Sequence, residues 1–403
     1  PYLAQVKLRD HGDPANRIDM FVLGDGYQVD DAQQSQFLNH AKTCERLLFA
    51  VDPYREYEQY FNFSAIHVQS VDQGVTREPG DIVRDTALGC TVRYDVLTSN
   101  AGKVFSITDR LGISGQDRQT VVIANDAAGV ATGGGGVASL PKGAIGLVNH
   151  EVGHSFGGLN DEYDNEPGSD PEKAPPPPRD AVVATREAPP NLMHGSDKAD
   201  VASKVIWQEW IDAEELWWNN STVGLFEGGD RKPFHVWRPQ LSCMMRDLSG
   251  FCVVCMEHMV KQIYRRVRPV DKVEPEPGEW VLEKKDEEEV ILKVWTLQPR
   301  THDLDVTWRV LSYGLQKPAA AGGDSGGGLT AVKDERLGEV WRRSQSGLDP
   351  EGKTVRAAQL RSKDLEPGWH RVRCTVHDPT PWVIRDDEGL LTQELEWWVE
   401  VRP

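Results

Sequence analysis

The apolar positions near the start of the chain follow two different spacings. The segment RIDMFVL (17–23) places apolar residues at every second position and leads into glycines around an aspartate, which predicts a strand that enters a tight loop. Further on, apolar residues recur at spacings of four, three and four, the buried stripe of an amphipathic helix that ends near Pro53. This stripe consists of Phe37, Ala41, Cys44 and Leu48.

Further strand and helix patterns follow in alternation. FNFSAIHVQSV (61–71) and TVVIAN (120–125) are rich in β-forming residues, and strands that alternate with helices predict a twisted mixed sheet with helices packed on it. The apolar run AIGLVNHEVGHSF (144–156) predicts a buried helix, since its two histidines are four residues apart and share one helix face. We therefore expect an α+β domain.

The pattern changes at VEPEPGEW (273–280), where the helical spacing ends and alternating runs separated by Gly, Pro and Asp begin. We expect two domains, residues 1–272 and 273–403, the second an immunoglobulin-like β-sandwich of about seven strands. Its tryptophans are expected in the core rather than in a carbohydrate-binding surface. The segment between Pro167 and Pro190, with its proline run, predicts a surface excursion, and the glycine-rich stretch 317–328 predicts a mobile loop.

Composition and charge narrow the classes of protein to which the chain can belong. Of its 403 residues, 39% are hydrophobic, enough for a large core that is more naturally divided between two domains. The formal charge of −18 repels phosphate backbones and anionic lipids. No run approaches the ~20 apolar residues that cross a bilayer. We expect no nucleic-acid partner and no membrane insertion.

The cysteines leave several possibilities open. Six cysteines are too few for a disulfide scaffold, but Cys243, Cys252 and Cys255 lie close enough in sequence for one local disulfide. One alternative is a structural zinc site that also includes His258. The other is that the three cysteines are plain buried thiols. The chain begins at Pro1 rather than Met, and we expect either a processed form or a trimmed sequence. We expect a secreted, periplasmic or cell-surface protein.

The segment NHEVGHSFGGLNDEY (149–163) carries the clearest chemical pattern. His150 and His154 lie on one face of the predicted helix and can bind one Zn²⁺ ion. Glu151 then lies near the open coordination position, where it can accept a proton from zinc-bound water. The competing interpretation makes both histidines core residues, but two His and a Glu are poor fillers of an apolar helix. We therefore expect a zinc site.

A third ligand requires the chain to turn back after this helix. If the helix continued, Asp161 would lie about 10 Å beyond His154 along the axis. The glycines at 157–158 can adopt the left-handed conformation that ends a helix. Among the oxygen donors that follow, a carboxylate is a better zinc ligand than the amide of Asn160. We expect Asp161 as the third ligand, with Glu162 as the alternative ligand or as a partner behind it.

Several other segments accompany this motif in a fixed order along the chain. They are FVLGDGY (21–27) and FN (61–62) upstream, and GLFEGGD (224–230), WRP (237–239) and CMMR (243–246) downstream. With these segments the chain resembles the IgA peptidase family of bacterial zinc metallopeptidases, over roughly residues 17–265. Because the segments are ordered as well as present, coincidence is a poor explanation.

The resemblance implies a metzincin-like catalytic domain that holds one catalytic zinc ion. The implied ligands and general base are His150, His154, Asp161 and Glu151. A methionine turn beneath the ligands is implied at Met245, with Met244 beside it, although either residue can be an ordinary core methionine. The sequence departs from the usual metzincin pattern HExxHxxGxxH, whose last histidine would fall on Asn160.

Together these features predict a zinc-dependent endopeptidase that acts on proteins or peptides, with glycoproteins and immunoglobulins as candidate substrates. A zinc hydrolase of a non-peptide amide and a non-catalytic binding protein with a vestigial zinc site are the alternatives. Residues 135–139 are expected either to pair with an extended substrate or to form a flexible connector. Tyr163 is a candidate oxyanion stabiliser, with a packing role as the alternative. The C-terminal domain is expected to position the enzyme or to dock a partner.

Overall fold

The chain divides into two units in a computed structural model of the protein. The structure describes residues 3–80, 82–111, 119–164, 189–213, 222–317, 345–348 and 354–403. The first unit comprises Pro1–Val267 with Pro381–Arg385, and the second comprises Arg268–Thr380 with Asp386–Pro403. The surface excursion predicted between Pro167 and Pro190 and the loop predicted at 317–328 lie almost entirely outside the described residues.

The first unit contains short and long strands together with helices of very different length. Its described strands are β1 (Leu3–Arg9), β2 (Ile18–Asp25), β3 (Phe61–Val68), β4 (Thr76–Glu78), β5 (Thr91–Arg93), β6 (Val96–Thr98), β7 (Gln119–Ala124), β8 (Thr132–Gly134), β9 (Val137–Pro141), β10 (Met193–His194), β11 (Phe226–Gly229) and β12 (Lys232–Arg238). Its described helices are α1 (Asp31–Leu48), α2 (Ala101–Arg110), α3 (Val148–Ser155), α4 (Lys198–Ala202), α5 (Gln208–Asp212), α6 (Met244–Asp247) and α7 (Val253–Tyr264).

A six-stranded sheet in the order β1-β3-β2-β7-β9-β8 forms the frame of this unit. The pairs β3–β2, β2–β7 and β7–β9 are parallel, while β1 and β8 pair antiparallel at the two edges. The expected mixed sheet is therefore confirmed. Smaller sheets in the orders β4-β5-β6 and β10-β12-β11 complete the described strands of the unit.

Helices cover both faces of this sheet, which explains why β2 is buried on both sides. Phe21 and Leu23 share a core cluster with residues of α2. On the opposite face, the ring of Phe37 on α1 lies 5.6 Å from that of His67. The predicted stripe of α1 is confirmed, because its four apolar residues are the buried residues of that helix.

The loop after β2 is organised around one buried carboxylate. Asp25 is fully buried. Its two oxygens accept hydrogen bonds from the amides of Leu88 and Cys90, both at 2.8 Å, and from the hydroxyls of Thr86 at 2.9 Å and Ser70 at 3.3 Å. These donors satisfy a buried charge that would otherwise be costly. Asp25 thereby joins distant segments at the end of β2.

Strand β9 leads into the helix that carries the histidines. A 3-10 turn at Lys142–Leu147 precedes α3, so the helix predicted over 144–156 is shorter than expected, and Ala144 has non-helical angles of φ −128° and ψ 30°. Because β9 pairs with β7 on one side and β8 on the other, its backbone is occupied. The expectation that residues 135–139 pair with a substrate is therefore wrong, and the edge of the sheet is β8.

The second unit is a sandwich of two four-stranded sheets. Its described strands are β13 (Val270–Glu274), β14 (Glu279–Glu283), β15 (Glu289–Thr296), β16 (Asp305–Gly314), β17 (Gln345–Leu348), β18 (Thr354–Arg361), β19 (Gly368–His377) and β20 (Thr392–Arg402). The sheets have the orders β13-β15-β18-β17 and β14-β20-β19-β16 and share one apolar core. Trp308 and Trp397 belong to that core. The boundary suggested after residue 272 falls inside β13.

Among the described residues, no helix is both long enough and apolar enough to cross a bilayer.

Candidate metal centre

Helix α3 presents two histidines on one face, one turn apart. The Nε2 atoms of His150 and His154 lie 3.2 Å from each other. The Nδ1 atom of His150 faces the carbonyl oxygen of Met244 at 3.0 Å, and that of His154 faces the carbonyl oxygen of Leu159 at 2.7 Å. A carbonyl only accepts hydrogen bonds, so we assign the ring protons to Nδ1. Both Nε2 atoms then carry free lone pairs.

The chain reverses immediately after α3 and returns to these histidines. Gly158 has a φ of +63°, and its amide donates to the carbonyl of His154 at 3.1 Å. Gly157 has a different role: a Cβ there would collide with the sulfur of Met259. One glycine therefore supplies the left-handed turn and the other allows close packing.

The reversal brings the carboxylate of Asp161 to the two imidazoles. Its Oδ1 atom lies 3.1 Å from the Nε2 atoms of both His150 and His154. With the ring protons on Nδ1, each of these contacts places a lone pair of Nε2 opposite a lone pair of Oδ1, with no hydrogen between them. Oδ1 is accordingly buried without a hydrogen bond. Three facing lone pairs require a positive charge between them.

The spacing of these three atoms fits a small divalent cation. A tetrahedral site with bonds of ~2.0 to 2.1 Å has edges of about 3.3 Å, and the observed separations are 3.1 to 3.2 Å. Two imidazole nitrogens and one carboxylate oxygen are also a donor set that leaves a fourth position open. His150, His154 and Asp161 could therefore hold a metal ion.

The second oxygen of Asp161 is held by two residues outside this donor set. The hydroxyl of Tyr163 donates to Oδ2 at 2.8 Å, and the guanidinium of Arg231 lies 3.3 Å from the same atom. The ring of Tyr163 also stacks with that of His150 at a centroid separation of 6.4 Å. Tyr163, considered as an oxyanion stabiliser from the sequence, is thus engaged with Asp161 in this structure.

Arg231 reaches this position from an unusual turn. It forms, with Asp230, the two-residue connection between β11 and β12, and the φ angles of the two residues are +59° and +51°. Residues other than glycine and asparagine rarely adopt this left-handed region, and such strain tends to accumulate at functional sites. The amides of Asp230 and Arg231 donate to the carbonyls of Asp161 and Tyr163 at 2.8 and 3.0 Å. The turn therefore supports the Asp161 segment directly.

Sequence reasoning missed Arg231. A usable signal was present, because the pair Asp230-Arg231 separates LFEGG (225–229) from KPFHVW (232–237), and each segment contains β-forming residues. That spacing is typical of a two-residue hairpin. Nothing in the local sequence, however, indicates that the hairpin reaches Asp161, which lies 70 residues away.

Glu151 follows the first histidine and is almost completely buried, at 4% exposure. Burial raises the pKa of its carboxyl, while the neighbouring histidines oppose that change. Edge strand β8 lies against the same part of α3, because a Cβ at Gly133 would collide with the backbone carbonyl of Glu151. The glycine in this edge strand therefore permits its close approach to the helix.

Met245 lies directly beneath the helix. It is fully buried, and a Cβ added to Gly153, between the two histidines, would lie 2.7 Å from its sulfur. Its carbonyl accepts the amide of Glu162 at 2.8 Å, and the preceding carbonyl, of Met244, is the one that orients His150. The segment at Met244–Asp247 thus packs against α3 and bonds to both chain segments of the site.

Glu162, the alternative ligand, faces a different group of residues. Its Oε1 atom lies 3.1 Å from the sulfur of Cys255. All six cysteines are free thiols, so the expected local disulfide among the three downstream cysteines is not formed. His258, considered as a ligand with those cysteines, instead places Nε2 2.8 Å from the carbonyl oxygen of Gly157.

The charges of the donor set are strongly coupled. Burial opposes ionisation of Asp161, but His150 and His154, when either carries a proton on Nε2, outweigh burial and lower the pKa of its carboxyl. Burial lowers the pKa of His150, but Asp161 and the Met244 carbonyl raise it by more. The pKa of this imidazole therefore lies above its ordinary value. A cation bound between these three atoms, or a proton shared by them, would supply the positive charge that they require.

Two histidines, a carboxylate and an adjacent buried glutamate define the class of a candidate metallohydrolase centre. A family model described as IgA Peptidase M64 matches residues 6–188, the part of the chain that contains all four of these residues. This match supports membership of the IgA peptidase M64 family; the family points to a peptidase and implies protein substrates. No curated protein matches the sequence.

Proposed function

We propose that the protein is a zinc-dependent endopeptidase with a metzincin-like catalytic domain. The convergence of two unprotonated imidazole nitrogens and one carboxylate oxygen, 3.1 to 3.2 Å apart, carries the proposal. His150, His154 and Asp161 would hold the ion. When bound there, Zn²⁺ supplies Lewis acidity that polarises a peptide carbonyl and lowers the pKa of water.

Glu151 is the general base in this proposal. It accepts a proton from the attacking water and returns that proton to the leaving amine. Its position next to His150 in sequence, on the same buried helix, supports this role. Tyr163 and Arg231 hold the second oxygen of Asp161, so that its first oxygen faces the histidines.

The edge strand β8 is the proposed platform for the substrate. Among the described residues it pairs only with β9, which leaves its outer backbone groups available to an extended peptide. Gly134 has no neighbour within 4 Å of an added Cβ, so this end of the strand is open. A peptide added here would run along helix α3, close to Glu151.

The proposals about the substrate and the location of the protein rest on the family resemblance and on the sequence, not on the geometry of the site. Glycoproteins and immunoglobulins are candidate substrates through the family resemblance, and hydrolysis of a non-peptide amide is the second candidate activity. A vestigial binding site is less compatible with a complete set of ligands and base. A secreted or cell-surface location and an immunoglobulin-like, partner-docking role for the second unit stay predictions.

The test is a cleavage assay with a matched pair of variants. The zinc-loaded protein is incubated with a diverse peptide and protein mixture, and new termini are identified by mass spectrometry. Glu151→Gln should lower the cleavage rate by about 10²- to 10⁴-fold and retain the metal. Glu394→Gln, a partly exposed carboxylate of the second unit, should cleave as the wild type does. A wild-type protein that releases no termini, or an unimpaired Glu151→Gln variant, would refute the proposal.

A further inference from the structure

A second group of potential metal ligands lies behind the candidate metal centre. It consists of Glu162, Cys243, Cys252 and Cys255, called here the thiol cluster, whose ligand atoms all lie within 4.8 Å of one another. All four residues are fully buried. None of them belongs to the donor set formed by His150, His154 and Asp161, and the proposed peptidase mechanism does not use them.

Three separate segments supply these residues. Glu162 directly follows Asp161, and Cys243 directly precedes α6. Cys252 caps the N-terminus of α7, and Cys255 lies in its first turn. The amides of Cys252 and Cys255 donate to the sulfurs of Cys243 and Cys252 at 3.3 and 3.5 Å. Such amide contacts, together with a helix N-terminus, stabilise negative charge on sulfur.

The carboxylate of Glu162 is incompletely satisfied. Its Oε1 atom accepts a hydrogen bond from Asn191 at 3.1 Å, whereas Oε2 is buried without a hydrogen-bond partner among the described residues. A buried carboxyl oxygen without a partner is costly, because water no longer solvates it. This oxygen belongs to the side chain that faces three sulfurs, which are themselves poor hydrogen-bond donors.

Three separations within the cluster lie near those of a tetrahedral zinc site. With Zn–S bonds of ~2.3 Å, two thiolate ligands are separated by about 3.8 Å, and the sulfurs of Cys243 and Cys255 are 3.7 Å apart. A disulfide would require ~2.05 Å. With a Zn–O bond of ~2.0 Å, the sulfur-to-oxygen separation is about 3.5 Å; the sulfurs of Cys255 and Cys252 lie 3.1 and 3.7 Å from Oε1 of Glu162.

We propose that Glu162, Cys243, Cys252 and Cys255 bind a second zinc ion with a structural role. Four protein ligands leave no open position, and full burial keeps water and substrate away, as in structural zinc sites. The ion would join three segments that shape the candidate metal centre: the one carrying Asp161, the one before Met244 and Met245, and helix α7. It would act as a fixed support for the donor set.

Metal analysis of single variants tests this site. The purified wild-type protein should contain about two metal ions per chain, and Glu162→Gln and Cys255→Ser about one. Cys374→Ala, which changes a buried cysteine of the second unit, should leave the metal content unchanged. If Glu162→Gln and Cys255→Ser both retain the wild-type metal content, the proposal is wrong.

Cobalt provides a readout that needs no variant of the cluster and no peptidase activity. Co²⁺ added to the metal-free wild-type protein should produce intense thiolate-to-cobalt charge-transfer absorption, and the double variant His150→Ala/His154→Ala should retain it. Absence of this absorption from the wild type would overturn the proposal, as would a thiol titration in denaturant that detects fewer than the six thiols of the sequence. Failure of the peptidase function alone would leave this absorption intact.

Discussion

Gly153 offers a sharp test of the packing beneath the histidines. It lies on α3 between His150 and His154, and a Cβ at this position would stand 2.7 Å from the sulfur of Met245 and 3.3 Å from the ring of Phe251. Both neighbours are buried. The variant Gly153→Ala therefore adds one methyl group to a fully packed interface.

Two opposing effects determine how much Gly153→Ala changes the free energy of unfolding. In a helix interior, replacing glycine by alanine usually stabilises the fold by about 0.5 to 1 kcal/mol. Here the new methyl group is far inside the ~3.5 Å contact distance, so Met245 must move, and overpacking of this kind costs about 1 to 3 kcal/mol. We expect Gly153→Ala to lower the free energy of unfolding by up to about 2 kcal/mol.

The measurement is denaturant-induced unfolding together with metal affinity. Gly146→Ala is the matched control, because a Cβ at Gly146 meets nothing within 4 Å. Displacement of Met245 would also move the Met244 carbonyl that orients His150, and loss of such an orienting contact lowers metal affinity by about 10- to 100-fold. The control should retain the metal affinity of the wild type and be at least as stable.

A double-mutant cycle isolates the contact. Met245→Ala alone should cost about 2 to 5 kcal/mol, but the double variant Gly153→Ala/Met245→Ala should lose less than the sum of the two single changes, because the collision is absent. If Gly153→Ala proves as stable as the control and binds metal normally, the packing argument for Met245 fails.

Three further variants separate the contributions of individual residues. Arg231→Met should weaken metal binding by about 10- to 100-fold, since it removes the guanidinium that holds Asp161, whereas Lys232→Met, whose ammonium pairs with Asp230, should not; equal affinities in a chelator competition would contradict this. Gly158→Ala should lower the free energy of unfolding by about 1 to 2 kcal/mol, because the site is open but φ is +63°, and an unchanged denaturation midpoint would exclude this strain. In Asp25→Asn, the amide NH₂ group faces amides or hydroxyls that donate hydrogen bonds to the carboxylate in the wild type. This change should lower the free energy of unfolding by about 1 to 3 kcal/mol, measured in the same way. A stability equal to that of the wild type would show that the hydrogen bonds of this carboxylate are dispensable.

Local periodicity was sufficient to predict the main elements of the fold. The buried stripe of α1 was evident from its spacing, and the runs that became β2, β3 and β7 were recognisable from their composition. The partners of these strands could not be recognised from the sequence, because pairing depends on contacts between residues far apart in sequence. For this reason the sequence left residues 135–139 open between a substrate edge and a flexible connector, whereas in the structure β8 folds back and occupies one side of β9.

Some residues of the candidate site could likewise be predicted from the local sequence, whereas others could not. The positions of His150 and His154 follow from helix geometry, and the need for a reversal before Asp161 follows from the rise of a helix. Arg231 escaped notice because its role depends on a hairpin that reaches the site from 70 residues away. The sequence predicts Glu162 as an alternative ligand or a partner behind Asp161, but its contact with Cys255 depends on packing across 93 residues.

Asp161 and Glu162 are neighbours in sequence, yet their side chains reach opposite destinations: the histidines in one case and the thiol cluster in the other. Successive side chains of an extended segment point to opposite sides. Insertion or deletion of a single residue before this pair would therefore exchange the two destinations. Natural variation in this part of the chain should proceed by substitution, while length changes are confined to segments before or after it. Grafting the site onto another scaffold would require both neighbourhoods to be transferred together.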